Sequence, residues 1–259
     1  MLKKIKELYM YRQFLKTSVK KEFRGKYKKS VLGILWSFIN PLLQLLVYAL
    51  VFPFILRVQV EIYIMFIFTA LIPWNFFSTT LSQSTSVIIS NGGIIKKVYF
   101  PREILPISIV LSGAINFLIS CIIILVALLI SGIGISPYIL FLPLILFVQC
   151  LVTLAICFVL SAFPVYIRDL EYFINVLLQL WMYITPVVYP LSQAGIGKLR
   201  YILLINPVTT PIELFRCGIL GKGEVEITYL IWSWIFTIIV AVAGIMIFNK
   251  VERTFMDTV

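Results

Sequence analysis

The chain has 259 residues, of which 61% are hydrophobic and 13% are charged, a composition that a soluble domain cannot bury but a lipid bilayer accommodates. The net charge is +11, and eleven of the 22 Lys and Arg residues lie within the first 29 positions. Basic residues before an apolar segment are a topology signal and attract anionic lipid, and no nucleic-acid-binding motif accompanies them, so the charge does not indicate a nucleic-acid partner.

Residues 1–30 are predicted to form an amphipathic helix on the cytoplasmic surface of the membrane. Apolar residues such as Leu8, Leu15 and Val19 recur mostly at three- or four-residue spacing, and basic residues occupy much of the remaining surface. A short, frayed basic tail is the alternative, but no Gly or Pro interrupts residues 1–24. The segment lacks the continuous apolar core of a signal peptide.

Residues 31–259 are predicted to form one all-α integral membrane domain with six spans. The spans are 31–56, 62–89, 104–130, 138–163, 172–189 and 227–248, and none of them contains Lys, Arg, Asp or Glu. Each is about long enough to cross a hydrocarbon core of ~30 Å. With the N-terminus inside, the inner connections carry 17 basic residues and the outer ones 5, which predicts that both termini are cytoplasmic.

Two connections between the predicted spans are unusual. Residues 90–103 are predicted to form a polar cytoplasmic loop in which Tyr99 and Phe100 form an exposed ridge flanked by charges. Residues 191–226 form a long external segment whose apolar stretches are too short to cross a membrane and are interrupted by Pro207 and Pro211. This pattern favours short re-entrant helices that gate the exit, since a membrane tolerates broken helices where protein or a water-filled cavity covers them. An ordinary folded surface loop is the alternative.

The sequence contains no motif for catalysis or for ATP binding. There is no phosphate-binding loop, no His and no close pair of Cys residues, so we predict a chain that is not an enzyme and that holds no cofactor or metal. The spans also lack the titratable groups that ion-driven carriers use. An active transporter with this sequence therefore needs ATP and Mg²⁺ bound by a partner ATPase.

Polar and aromatic residues within or near the ends of the spans are candidates for lining a transport pathway. The uncharged amide side chains within the spans are Asn40, Gln44, Asn75, Asn116, Gln149, Asn175 and Gln179. Asn175 and Gln179 lie four residues apart, on one face of a helix. Interhelical hydrogen bonding explains such amides equally well, and an interfacial aromatic belt explains the rings. The candidate lining residues are Trp36, Asn40, Trp74, Phe77, Asn175, Gln179, Trp181 and Tyr183.

A basic cluster precedes the first span and is a candidate site for the phosphate headgroup of a transported substrate. It consists of Arg24, Lys26, Lys28 and Lys29. Arg binds phosphate through a planar fork, and Lys contributes a point charge. The alternative is that the cluster only sets topology and binds membrane lipid.

Several short motifs occur in order along nearly the whole chain. They are KKEFRGKYKKSVLGILW at 20–36, NPL at 40–42, LIPWNFF at 71–77, KKVYFPREILP at 96–106, YIRD at 166–169, TPVVY at 185–189, NP at 206–207 and ERTFMD at 252–257. This set resembles the ABC-2 type permeases that export lipid-linked polysaccharides such as O-antigen, teichoic acid and capsule. The resemblance implies a bacterial plasma-membrane protein whose substrate is a glycan on a polyprenyl-phosphate carrier.

The resemblance also implies the assembly and the roles of two segments. The permease is expected to form a homodimer above two copies of an ABC nucleotide-binding subunit. A coupling helix between spans two and three is expected to contact that ATPase through Lys96, Lys97, Tyr99, Phe100 and Arg102. Re-entrant external helices between spans five and six are expected to form a gate, for which the candidate residues are Asn206, Pro207 and Arg216.

Two other functions remain open from the sequence. An ABC-2 exporter of drugs or small lipids would carry similar motifs. A passive channel or a membrane scaffold would need no ATPase. Glycosyltransferase genes beside this gene would favour polysaccharide export, and an ATPase that purifies with the chain would argue against a channel or scaffold.

Overall fold

The computed structural model describes residues 2–26, 30–56, 63–132, 136–163, 169–191, 203, 205–221 and 227–251. Within these ranges every regular element is helical. The helices, in chain order, are α1 (Leu2–Met10), α2 (Arg12–Gly25), α3 (Trp36–Leu56), α4 (Tyr63–Ser90), α5 (Gly92–Ile95), α6 (Ile104–Ser131), α7 (Leu142–Ala162), α8 (Leu170–Ile184), α9 (Thr209–Leu220) and α10 (Ile227–Val251). Short 3₁₀ helices at Gly33–Leu35 and Pro137–Phe141 precede α3 and α7.

Four helical segments are long and apolar enough to cross a membrane, and they correspond to the predicted second, third, fourth and sixth spans. They are Tyr63–Ser90, Ile104–Ile130, Pro137–Ala162 and Leu230–Val251. The chain is therefore a multi-pass membrane protein. In the other two predicted spans the apolar stretches are shorter, Trp36–Val47 within α3 and Leu170–Ile184, which is α8, so six crossings stay a prediction.

The helix of the predicted fifth span is shorter than the sequence pattern suggested. Helix α8 has 15 residues and ends at Ile184, whereas the apolar pattern continues to residue 189. Thr185 adopts an extended backbone, because the residue before a proline is disfavoured in the helical region. At 1.5 Å per residue, α8 extends about 22 Å, which is less than the hydrocarbon thickness.

Helix α4 lies at the centre of the bundle, where it packs against α3, α6, α7, α8 and α9. Pro73 lies inside this helix and has no backbone N–H to donate. The side chain of Gln149 on α7 donates a hydrogen bond to the Pro73 carbonyl at 3.2 Å. Because hydrocarbon offers no hydrogen-bond partner, this contact favours one pairing of α4 with α7.

Two helices, α1 and α2, occupy the region predicted as one amphipathic helix, and they meet at Tyr11. Helix α2 packs against α6. Phe14 on α2 contacts Phe100, with their ring centroids 4.6 Å apart, and Lys4 on α1 bonds to Glu103 and Asn249. These contacts tie the N-terminal helices to the first turn of α6 and the last turn of α10.

Helix α9, from the predicted external segment, is held in the protein by a buried arginine. Arg216 is fully buried and bonds to Glu213 and, at 2.9 Å, to the carbonyl oxygen of Val187. Its guanidinium carbon also lies 3.8 Å from the ring centroid of Phe66 on α4. A buried charge is tolerated only when it is paired and hydrogen-bonded, so these contacts fix α9 beside α4.

We predict that Gly113→Ala destabilises the protein. A Cβ atom at Gly113 on α6 would lie 2.5 Å from the Thr80 hydroxyl and 2.9 Å from the Phe76 ring, both on α4. The expected loss is about 1–3 kcal/mol, as for other overpacked positions. It is measured as a lower midpoint of thermal unfolding in detergent.

Gly93→Ala is the matched control, because no atom lies within 4 Å of the added methyl group. Ala is the better helix former, so this variant should be neutral or slightly more stable than the wild type. Equal stability of Gly113→Ala and Gly93→Ala would show that α4 and α6 do not approach this closely.

Candidate functional site: a polar groove among the membrane helices

Two adjoining cavities run along one side of α4. The first has a volume of about 660 Å³ and lies among α3, α4 and α6, and the second has a volume of about 580 Å³ and lies between α4 and α8. Both are bordered by Gln44 on α3 and by Asn75, Thr79 and Gln83 on α4. We call the two cavities together the polar groove.

The α4 wall of the polar groove arises from helical spacing. Asn75, Ser78, Thr79, Ser82 and Gln83 line it, at intervals of three or four residues, so they share one face of the helix. The opposite face of α4 carries Phe77, Leu81 and Ile88, which are buried in the protein. The sequence thus makes α4 a core helix with one polar edge.

Hydrogen bonds connect the polar edge of α4 to the helices on either side. The amide of Asn75 donates to Gln44 on α3 at 2.7 Å, and the hydroxyl of Ser82 donates to Asn175 on α8 at 2.6 Å. These bonds satisfy polar groups within the apolar bundle, while Gln83 and Gln179 also border the groove. The groove therefore offers neutral donors and acceptors to a hydroxyl-rich ligand.

Lys26 directly follows the last residue of α2 and borders the first cavity. Among the described residues that line the groove, it is the only ionisable side chain. Burial lowers the pKa of its ammonium group to about 8, and the carboxylate of Glu22 opposes this shift. Of the other basic residues proposed for headgroup binding, Arg24 is exposed on α2, and Lys28 and Lys29 lie outside the described residues.

The structure brings five of the eight predicted pathway residues to the groove. Trp36 and Asn40 line the first cavity, and Trp74, Asn175 and Gln179 line the second. Gln44, Asn75 and Asn116, which are uncharged polar residues of the predicted spans, also line the groove, and the wall residues Thr79 and Gln83 were not predicted. The polar spacing of residues 75–83 was the signal that could have found the α4 wall.

The other three predicted pathway residues lie elsewhere. Phe77 is fully buried, with its ring centroid 5.7 Å from that of Trp74 and 5.4 Å from that of Trp181. Tyr183 is exposed and borders neither cavity of the groove. Phe77 and Trp181 therefore support the wall of the second cavity from behind.

The predicted gate residues connect α9 to its neighbours. Asn206 accepts a hydrogen bond from the Trp181 indole at 3.1 Å and donates one to the Thr185 hydroxyl at 2.9 Å. The carbonyl of Pro207 accepts a hydrogen bond from Ser233 on α10 at 3.3 Å. Together with buried Arg216, these contacts hold the segment before α9 against α8 and α10.

The predicted coupling residues divide into exposed and buried groups. Lys96, Lys97 and Tyr99 are exposed, with Tyr99 exposing 68% of its surface. Phe100 and Arg102 are buried, exposing 1% and 2%. The expectation of an exposed Tyr99–Phe100 ridge is therefore wrong for Phe100, because Phe14 of α2 covers its ring.

Comparison with known protein families assigns this architecture. The profile of the family described as ABC-2 type transporter matches residues 13–220, which include all the described residues that line the polar groove. The chain belongs to the ABC-2 type transporter family. The long apolar helices of the described structure agree with a membrane transporter family.

Curated relatives of this ABC-2 chain are named for polysaccharide transport. It is 36% identical over 217 residues to the O-antigen export system permease protein RfbA of Myxococcus xanthus, covering 83% of this chain and 84% of that protein. It is 34% identical over 242 residues to RfbA of Klebsiella pneumoniae, covering 92% and 91%. The polysialic acid transport protein KpsM of Escherichia coli is 24% identical over 249 residues, covering 92% and 93%.

Proposed function

We propose that this chain is the permease subunit of an ATP-driven exporter that moves a lipid-linked polysaccharide of the O-antigen or teichoic-acid type across a bacterial plasma membrane. The polar groove is the observation that carries the proposal. It follows the membrane helices, and its polar side chains are mainly neutral amides and hydroxyls. Such groups exchange hydrogen bonds with sugar hydroxyls without holding them by charge.

A second copy of the chain completes the pathway in this proposal. Within one protomer α3 and α8 border the groove on either side of α4, and both helices have many exposed apolar side chains, including Leu43, Leu46, Val176 and Leu180. In a homodimer two such grooves face each other and enclose a glycan. The chain then crosses the membrane six times, with both termini in the cytoplasm.

The proposed energy source is a pair of ABC nucleotide-binding subunits that bind ATP and Mg²⁺. Their docking surface on this chain consists of Lys96, Lys97 and Tyr99, which are exposed beside the short helix α5. Phe100 acts indirectly, since its ring packs on Phe14 and connects this surface to α2. Movement of the docked ATPase then reaches the N-terminal helices through that contact.

The lipid carrier's phosphate is proposed to bind at Lys26, where the groove meets the N-terminal helices. A phosphate beside Lys26 adds negative charge to that of Glu22 and so favours the charged form of this partly buried ammonium group. Exposed Arg24 offers a second, more accessible cation on α2. The glycan attached to this phosphate would continue into the groove.

We predict that Asn75→Leu lowers polysaccharide export without disrupting the transporter. Asn75 borders both cavities and bonds to Gln44, so the substitution removes a polar contact at the centre of the pathway. Loss of about 1.4 kcal/mol of interaction corresponds to about tenfold slower export. Export is measured as surface glycan, and assembly as the amount of partner ATPase that purifies with the chain.

Ile239→Leu serves as the control, because Ile239 is an exposed side chain of α10 and does not border the groove. It should export at the wild-type rate. Wild-type export by an assembled Asn75→Leu transporter would contradict the assignment of the groove as the pathway.

We predict that substrate-stimulated ATPase activity depends on the charge of Lys26. Since its pKa is about 8, the positive form that attracts phosphate is lost as pH rises through that value. Stimulation by lipid-linked substrate, divided by basal activity, should therefore fall between about pH 7 and 9. Lys26→Arg should abolish this fall because Arg stays charged, and Lys26→Met should lower stimulation throughout the range. Identical pH profiles for the wild type and Lys26→Arg would remove Lys26 from phosphate binding.

A further inference from the structure

A third cavity lies away from the polar groove and has a different chemical character. It has a volume of about 420 Å³ and is enclosed by the Pro137–Phe141 turn, α7, α9 and α10. Its wall includes Phe141, Leu144, Val148, Leu214 and Trp234. Among the described residues, no Lys, Arg, Asp or Glu lines it, so the α7–α9–α10 cavity offers its occupant mainly apolar contact.

The depth of this cavity is set by the helices that form it. Val148 is the seventh residue of α7, about 9 Å along the helix from its first residue at 1.5 Å per residue. On α10, Leu230 and Trp234 occupy the first two turns. Both helices belong to segments that meet the length and hydropathy of a membrane span. The cavity therefore lies where the surrounding medium is lipid hydrocarbon and water is scarce.

The mouth of the cavity opens to the same surface as the lipid-facing side of α10. Leu144 and Trp234 expose 57% and 40% of their surfaces, and Ile231 and Ile238 of α10 are exposed nearby along that helix. An apolar gap left empty would lose dispersion contacts along its whole wall. At this depth the chains of membrane lipids are the available apolar molecules.

A glycine on α9 lets this helix approach α7 closely beside the cavity. Gly218 borders the cavity, and a Cβ atom there would lie 3.0 Å from the end of the Ile145 side chain, which is also part of the wall. Any larger residue at this position would crowd the space between α9 and α7. The backbone of α9 at Gly218 thus forms part of the cavity wall.

We propose that the α7–α9–α10 cavity binds one hydrocarbon chain of a membrane lipid. The bound chain contacts three helices at once and therefore stabilises the packing of α9 against α7 and α10. The volume of about 420 Å³ lies in the usual range of ligand pockets, about 300–1,000 Å³. The site is separate from the polar groove, so it concerns a structural lipid and not the exported substrate.

The test uses the full transporter in nanodiscs of phosphatidylethanolamine and phosphatidylglycerol, with a trace of phosphatidylglycerol that carries a diazirine near the start of one acyl chain. After illumination, adducts are mapped by mass spectrometry. We expect labelling at Leu144, Leu214 and Trp234 to exceed labelling at Val242 and Met246, exposed residues farther along α10, by about tenfold. Equal labelling at the two sets would mean ordinary boundary lipid and would overturn the proposal.

A pair of tryptophan variants on α7 provides the matched comparison. Leu144→Trp places a large ring in the mouth of the cavity and should reduce adducts on α9 and α10 about tenfold. Phe147→Trp adds a ring at a similarly exposed position that does not border the cavity, and should leave those adducts unchanged. Unchanged labelling in Leu144→Trp, with the protein folded, would contradict lipid binding in the cavity.

Two further measurements cover the case of a variant that does not fold and the case of a protein occupant of the cavity. If Leu144→Trp does not fold, the ratio of cavity to boundary labelling in the wild type decides alone. Cys217 borders the cavity and reports a competing occupant, because a second copy seated there would let a short bis-maleimide join two chains. Dimers joined through Cys217 without lipid adducts at the cavity would show that protein, and not lipid, covers this surface.

Discussion

Polar side chains in a membrane must find partners on other helices or face a space that holds water or substrate, because hydrocarbon supplies no hydrogen bonds. In this chain that constraint acts most strongly on α4. Its polar edge from Asn75 to Gln83 would be unfavourable against lipid, and it faces α3 on one side and α8 on the other. The bonds from Asn75 to Gln44 and from Ser82 to Asn175 hold both neighbours at this edge. The groove and the arrangement of the helices around it therefore have the same cause.

The lack of hydrogen-bond partners in hydrocarbon also shapes the part of the bundle formed by α7, α9 and α10. There α7 and α10 pack together, and α9 is attached through the bond from buried Arg216 to the Val187 carbonyl and through the contacts of Asn206. The cavity between these helices is apolar and opens to lipid-facing surface, whereas the groove beside α4 is polar. One flank is suited to lipid and the other to a hydrated substrate.

The sequence predicted the helical membrane fold because long uncharged apolar runs leave few alternatives. Four of the predicted spans correspond to helices of sufficient length, and motifs such as LIPWNFF indicated the family. The end of α8 was missed because hydropathy continues beyond residue 184, whereas Pro186 acts on the backbone conformation of Thr185. The break at Tyr11 has no Gly or Pro to announce it.

The candidate site was harder to predict than the fold, because burial depends on contacts far apart in sequence. Phe100 looked like an exposed ridge residue, but Phe14, which lies 86 positions earlier, covers its ring. Trp181 and Phe77 looked like pathway residues because aromatic rings suit sugars, and they instead pack on each other behind the wall. The position of Asn75 and Gln83 on the groove wall could have been predicted from their helical spacing. That spacing was a better guide to the wall than the aromatic rings were.

The most direct measurement of the central claim is photo-crosslinking from within the groove during ATP-driven transport. A photoreactive amino acid is placed at Thr79, which borders both cavities, or at Val242, which is exposed on α10. Adducts with lipid-linked glycan are then quantified with and without ATP. The proposed pathway predicts glycan adducts at Thr79 that depend on ATP and only background at Val242. Adducts at Val242 with none at Thr79 would contradict it.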